Sequence, residues 1–268
     1  MAQAPASELR VRVLSGIAMI LVAVAALWFG GVAFWALSAL LAVLMMVEWS
    51  SMAGAKRWQA ISGTAIVAAL MVAALSFANP AMLMAHADRL IAQMVDLTGL
   101  AAILLAVICF SARLGAGVLY TVLPAVALVF LREQPGQGFL LALWTLAIVW
   151  ATDIGAYFAG RSIGGPRLAP RLSPNKTWAG LIGGMAAAAL VGALIASTGG
   201  LPLFCSIAGA PLAVAAQAGD LFESWLKRRS GVKDSGAILP GHGGVLDRLD
   251  GVVPVAVLVA AAVAGGML

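Results

Sequence analysis

The sequence predicts an all-α protein, a polytopic integral membrane bundle of about nine transmembrane helices forming one domain over residues 1–268. Three observations lead there. The chain is 63% hydrophobic and only 10% charged, against roughly 45–50% apolar and about 25% charged in soluble domains. Apolar runs near the ~20 residues that cross a bilayer recur from end to end. Basic residues also segregate between alternate connections. Lipid offers backbone N–H and C=O groups no partner, so the spanning segments are expected to be helices.

The first run, 13–29, follows Arg10 and Arg12 and lacks a small-x-small cleavage site after it, so it reads as a span and not a leader. The second, 32–52, carries Glu48 near its inner end beside Trp49, where a carboxylate is expected to snorkel to the interface. The third is 60–77. Residues 78–96, with His86, Asp88, Arg89 and Asp96, read as an outer loop before a short fourth span, 97–110. The fifth is 115–131 and the sixth 139–159, with Asp153 and Tyr157 one turn apart at its inner end, either a buried hydrogen-bonded pair or part of a site. The seventh, 178–197, follows Thr177, a natural N-cap. The eighth is 201–226 and the ninth 251–268. Cys109 and Cys205 fall inside spans without metal-ligand spacing and read as packing residues.

Nine spans place the termini on opposite sides. One set of connections holds 14 of the 16 Lys and Arg, and the other only Arg89 and Arg132. Excess positive charge stays inside, so the N-terminus is expected in the cytoplasm and the C-terminus outside. The net charge of +5 gathers on one face, which suits anionic lipid or phosphate ligands. No aromatic residues interleave with it as nucleic-acid binding would require. Residues 1–130 read as scaffold. Residues 150–251 read as the catalytic region, with cytoplasmic loops 160–177 and 227–250 emerging on one face.

Chemistry concentrates in that region. Asp220, Glu223, Ser224 and Lys227 follow an i, i+3, i+4, i+7 spacing and so share one stripe of the eighth helix. Glu223–Lys227 also reads as an ordinary i,i+4 ion pair. Asp247 and Asp250 sit where the ninth helix begins, as metal ligands or as helix-capping acids. Mg²⁺ takes a few carboxylate oxygens and completes its shell with water and substrate phosphates, and Asp220 with Asp247 would provide such a partial shell. The turn from Leu239 through Pro240, Gly241, His242 and Gly243 to Gly244 offers backbone that can approach a phosphate. Lys227, Arg228, Arg229, Lys233 and Arg248 could neutralise a triphosphate, although Arg228 and Arg229 also fit headgroup anchors. His242 fits a general base, a phosphate donor or an exposed ring. Upstream, Ser173-Pro174 reads as a turn and Lys176 as a phosphate contact.

At these residues the chain resembles the phosphatidate cytidylyltransferases (CDP-diacylglycerol synthases). The family pattern falls without a gap on Ser224, Lys227, Arg228, Lys233, Asp234, Pro240, His242, Gly243, Gly244, Asp247, Arg248 and Asp250, preceded by Gly219-Asp220-Leu221-Phe222-Glu223. The upstream loop departs from it: Ala179 stands where glutamate is usual and Asn175 replaces a common lysine. The resemblance implies that Asp220 and Asp247 bind catalytic Mg²⁺, with Asp250 close by and a second cation left open. It implies that Ser224, Lys227, Arg228, Lys233 and Arg248 line the nucleotide and lipid-phosphate site, which Ser173, Lys176, Thr177, Asp153, His242, Gly243 and Gly244 would complete. The implied reaction is CTP plus phosphatidate giving CDP-diacylglycerol and pyrophosphate at the cytoplasmic side of a bacterial inner membrane. A homodimer is implied as well. Two other readings compete. One is a CTP-dependent polyprenol kinase, distinguished by its product. The other is an ion-coupled transporter, whose midplane site and repeated halves are not visible here.

Overall fold

The computed structural model describes residues 6–239 and 241–267, with side chains from residue 13 onward, so Pro240 and the side chains of Arg10 and Arg12 lie outside the described residues. The helices are α1 (Ala6–Phe29), α2 (Gly31–Met52), α3 (Arg57–Ala73), α4 (Pro80–Ile108), α5 (Ala112–Arg132), α6 (Gly138–Ser162), α7 (Trp178–Gly199), α8 (Leu203–Ile207), α9 (Gly209–Arg229), α10 (Leu246–Leu249) and α11 (Val252–Ala264). A 3₁₀ segment, Ala74–Ala78, extends α3, and an antiparallel hairpin of β1 (Arg167–Ala169) and β2 (Ser173–Thr177) lies between α6 and α7. Among the described residues, six helices are long and apolar enough to cross a membrane, and the apolar stretches Val13–Phe29 and Val252–Ala264 are shorter. Helix α9 is not among the six, since Asp220, Glu223 and three basic residues occupy its C-terminal half.

Several boundaries depart from expectation. The short fourth span is part of a 29-residue helix, α4, so His86, Asp88, Arg89 and Asp96 are helical and not in a loop. Asn79 caps that helix by accepting from Ala81 and Met82 N–H, and Pro80 at its first position is preorganised for it. Residue His86 kinks it (φ −143°, ψ 24°). The expected run 201–226 breaks between α8 and α9 at Ala208, and α9 continues to Arg229. A Cβ at Gly209 would run into the Ala188 carbonyl, so the chain there passes directly over α7. Ser173 and Pro174 begin strand β2, so they form no turn.

Small residues permit the closest packing. Gly180, Gly184, Ala188, Gly192 and Ala196 form a buried stripe along α7 at every fourth position, and α6 lies against it. A Cβ at Gly184 would stand 2.9 Å from the Thr152 carbonyl oxygen. Such stripes let helix backbones approach where lipid removes any hydrophobic drive between helices. Trp144 Nε1 bridges the same pair, donating to Gly192 O at 3.0 Å. Helix α5 lies at the centre and is mostly buried along its length.

The α1–α2 hairpin turns on Gly30 (φ 62°) and Gly31 (φ 50°). There Arg132 donates to the terminal carbonyls of α1, Nε to Leu27 O at 2.6 Å and Nη2 to Trp28 O at 3.0 Å. Glu133, buried beside it, accepts from Gly31 N at 2.6 Å. Cation at a helix C-terminus and anion at an N-terminus match both the orphan backbone groups and the helix dipoles.

Candidate active site

Helix α9 orders the first group of side chains as its spacing requires. Ser224 Oγ donates to Asp220 Oδ1 at 3.3 Å. One turn on, Lys227 Nζ lies 3.2 Å from Glu223 Oε1 and 2.6 Å from Asp247 Oδ1. Glu223 is fully buried. Lys227 is therefore the junction between α9 and the segment ahead of α11.

The hairpin brings a second lysine to α9. With Arg167 opposite Thr177 and Ala169 opposite Ser173, β2 projects Lys176 so that Nζ lies 2.6 Å from Asp220 Oδ2 and donates to Gln217 Oε1 at 2.8 Å. Thr177 caps α7 as expected, accepting from Gly180 N at 3.0 Å. Together they enclose a polar cavity of about 280 Å³ lined by Asp153, Tyr157, Ser173, Asn175, Lys176, Thr177, Gln217 and Asp220. Of the two readings of Asp153 and Tyr157, the buried pair is not formed: both are exposed, they line the cavity, and the Tyr157 hydroxyl accepts from Arg161 at 3.2 Å.

The described residues of segments 230–239 and 241–250 fold around Asp247. Its Oδ2 accepts from Ser235 N, Ser235 Oγ and Gly244 N, each at 2.9 Å, while Oδ1 holds Lys227. Burial alone would raise this carboxyl, yet the Lys227 ammonium and the Gly244 and Ser235 amides hold it down at about 2. The turn is closed by His242 N donating to Leu239 O at 2.9 Å and Leu239 N to Gly243 O at 3.0 Å, with positive φ at Gly241 (75°) and Gly243 (82°). Arg248 clamps it, Nε and Nη2 donating to His242 O at 2.9 and 2.6 Å. The His242 ring reaches α1, with Nδ1 3.1 Å from Ser15 Oγ. Asp250 Oδ1 accepts from Gly251 N at 2.7 Å. Burial, and after it the charge of Asp220, pushes this carboxyl up to about 7, with Asp153 adding to the effect.

The predicted residues thus form two linked clusters, one on Asp220 with the hairpin, the other on Asp247 with its turn. Glu223 and Lys227 connect them. Arg228 and Lys233 are exposed and make no salt bridge among the described residues. Among the described residues no three His, Cys, Asp or Glu side chains group as a ready metal cage.

Three participants escaped the sequence reading. Gln217 lies one turn before Asp220 on the same stripe, and extending the i, i+3 pattern backwards finds it. Ser235 follows the Lys233-Asp234 pair directly. Glu48 is no snorkelling carboxylate. It is 3% exposed, and it accepts from Val245 N at 2.9 Å, Leu246 N at 2.9 Å and Ser235 Oγ at 3.1 Å. Only the cost of an acid within a span hinted at such a partner.

Comparison with known proteins gives the family. The family model described as the cytidylyltransferase family matches residues 10–264. A protein of Brucella suis named phosphatidate cytidylyltransferase is 41% identical over 271 residues, covering 94% of this chain and 92% of the relative. Proteins of the same name are 43% identical over 143 residues in Pseudomonas aeruginosa, about half of each chain (52% and 52%), and 43% identical over 126 residues in Haemophilus influenzae, covering 44% and 43%.

Proposed function

The chain belongs to the cytidylyltransferase family and is a nucleotidyltransferase of phospholipid biosynthesis; we propose that it works by direct in-line attack of a phosphatidate phosphate oxygen on the α-phosphorus of CTP. Pyrophosphate leaves and CDP-diacylglycerol remains in the bilayer. The observation that carries this reading is the pair of carboxylates at two segment ends, Asp220 and Asp247, each with a lysine ammonium 2.6 Å away.

These residues fit a Mg²⁺ ion. They are hard oxygen donors, and each already holds a cationic group at hydrogen-bond distance. Their small number suits a cation that keeps waters and takes substrate phosphates as further ligands. Asp220 and Asp247 would hold it, with Asp250 nearby and a second cation as a further candidate. When bound, it supplies neutralisation of the charge that develops on the departing pyrophosphate. The chain's own groups do the rest. Lys227 and Lys176 can turn from carboxylate to phosphate with small movements. Arg228 and Lys233, exposed at the rim, are placed to meet the outer phosphates of CTP. Arg248 fixes the turn through His242 O, Nε and Nη2 both donating to it, and its charge stands beside the phosphate site. Ser173, Thr177 and Asp153 line the polar cavity, and Ser224 orients Asp220. The attacking phosphate is already anionic, so electrostatic stabilisation carries the reaction and no strong base is needed.

The apolar wall formed by Tyr120, Phe222, Val253, Pro254 and Leu258 adjoins the same end of α9, which supports sideways entry of acyl chains. Completing the six span-length helices with α1, α9 and α11 gives nine spans, an inner-membrane location and a site facing the cytoplasm beside the basic connections. The test is product analysis with purified protein, CTP and dioleoyl phosphatidate. CDP-lipid and pyrophosphate are expected. A phosphorylated lipid with released CDP overturns the reading in favour of a lipid kinase.

A further inference from the structure

Helix α2 belongs to the half of the chain that carries no site residue, yet Glu48 in its last turn is buried against the segment that holds Asp247. Its two oxygens take up the Val245 and Leu246 N–H groups, and Oε2 also meets Ser235 Oγ. That hydroxyl lies between two carboxylates, 3.1 Å from Glu48 and 2.9 Å from Asp247. The neighbouring chain leaves room for it: a Cβ would stand 2.6 Å from a Glu48 oxygen at Gly236 and again at Gly244. Among the described residues no Lys, Arg or His forms an ion pair with Glu48. It is therefore held by amide and hydroxyl donors, whose directional hydrogen bonds fix both of its oxygens.

We infer that Glu48 is a positioning residue for the transfer reaction, fixing through Ser235 and the 244–246 backbone where the Asp247 carboxylate points. This rests on the function proposed above. Glutamine at 48 turns an NH₂ group towards donors that need an acceptor, so one amide loses its partner without loss of volume. Glu133 offers a matched control, a buried carboxylate that likewise accepts a backbone N–H, from Gly31 at 2.6 Å, at the outer end of α2.

The experiment compares wild type, Glu48→Gln, Ser235→Ala and Glu133→Gln in nanodiscs. Steady-state kinetics with phosphatidate are measured together with amide hydrogen exchange of the metal-free protein. Expected for Glu48→Gln is a fall in kcat of at least tenfold with KM for CTP within about twofold of wild type. Faster exchange confined to residues 233–248 should accompany it. Ser235→Ala should show the same pattern more weakly, and Glu133→Gln should lower thermal stability with kcat unchanged. Wild-type kcat in folded Glu48→Gln, or a fall matched by Glu133→Gln, overturns the inference. If Glu48→Gln does not fold, Ser235→Ala decides alone, its kcat falling or not. A wild-type protein with no activity on phosphatidate instead sinks the functional reading, and the exchange data then still report whether Glu48 orders the loop.

Discussion

Asp247 accepts from an ammonium, a hydroxyl and two backbone amides, whereas among the described residues Asp220 meets Lys176 and Ser224. Replacing each with asparagine should therefore separate chemistry from architecture. Asp220→Asn is expected to abolish CDP-lipid formation with little change in thermal stability. Asp247→Asn should abolish it and also destabilise the fold, since a lost charged acceptor costs about 1–3 kcal/mol per buried donor left unsatisfied. Thermal melts and turnover of the two purified variants check this. The pH dependence has a definite sign. Asp247 is lowered from 3.8 to about 2 on folding, so its contribution is fully present above about pH 4 and is lost as pH falls through about 2. Acid titration of wild type against Asp247→Asn should show that difference. The stripe of Asp220, Ser224 and Lys227 was legible in the sequence because helix periodicity is local. The hold of Glu48 on Val245 was not, because it joins residues 197 positions apart.

At the scale of elements, close contact rests on missing side chains. Gly184→Leu should force α6 from α7 and cost about 1–3 kcal/mol through overpacking, read as a lower unfolding midpoint in detergent. Thr177 and the seventh span were legible because a cap and an apolar run occur together. The true length of α4 was not. Asp88, Arg89 and Asp96 suggested a solvated loop, but a helix of 29 residues accommodates them by exposing that face. The break at Ala208 was hidden for the opposite reason: Ser206, Gly209 and Pro211 are scattered in an otherwise apolar run, and the close approach of α7 appears only in the folded chain. Hairpin β1–β2 has only three and five residues in its strands, too short for any period-2 pattern to declare it.

For the whole molecule, the separation of basic from neutral connections gives the orientation a direct test. Reporters inserted at Gly200 and at Gly231 should be accessible from opposite sides of the membrane, Gly231 from the cytoplasm; the same side for both would remove the nine-span arrangement. The class of the protein was legible from composition alone, while the meeting of the hairpin with α9 required the folded chain. That meeting has one more outcome. Lys176 and Lys227 sit against Asp220 and Asp247, so the protein supplies counterions of its own for both carboxylates, and its fold is expected not to depend on a divalent ion. Stripping metal with a chelator should silence turnover yet leave helicity and the melting transition as they were, and readmitting Mg²⁺ should restore activity without any refolding delay.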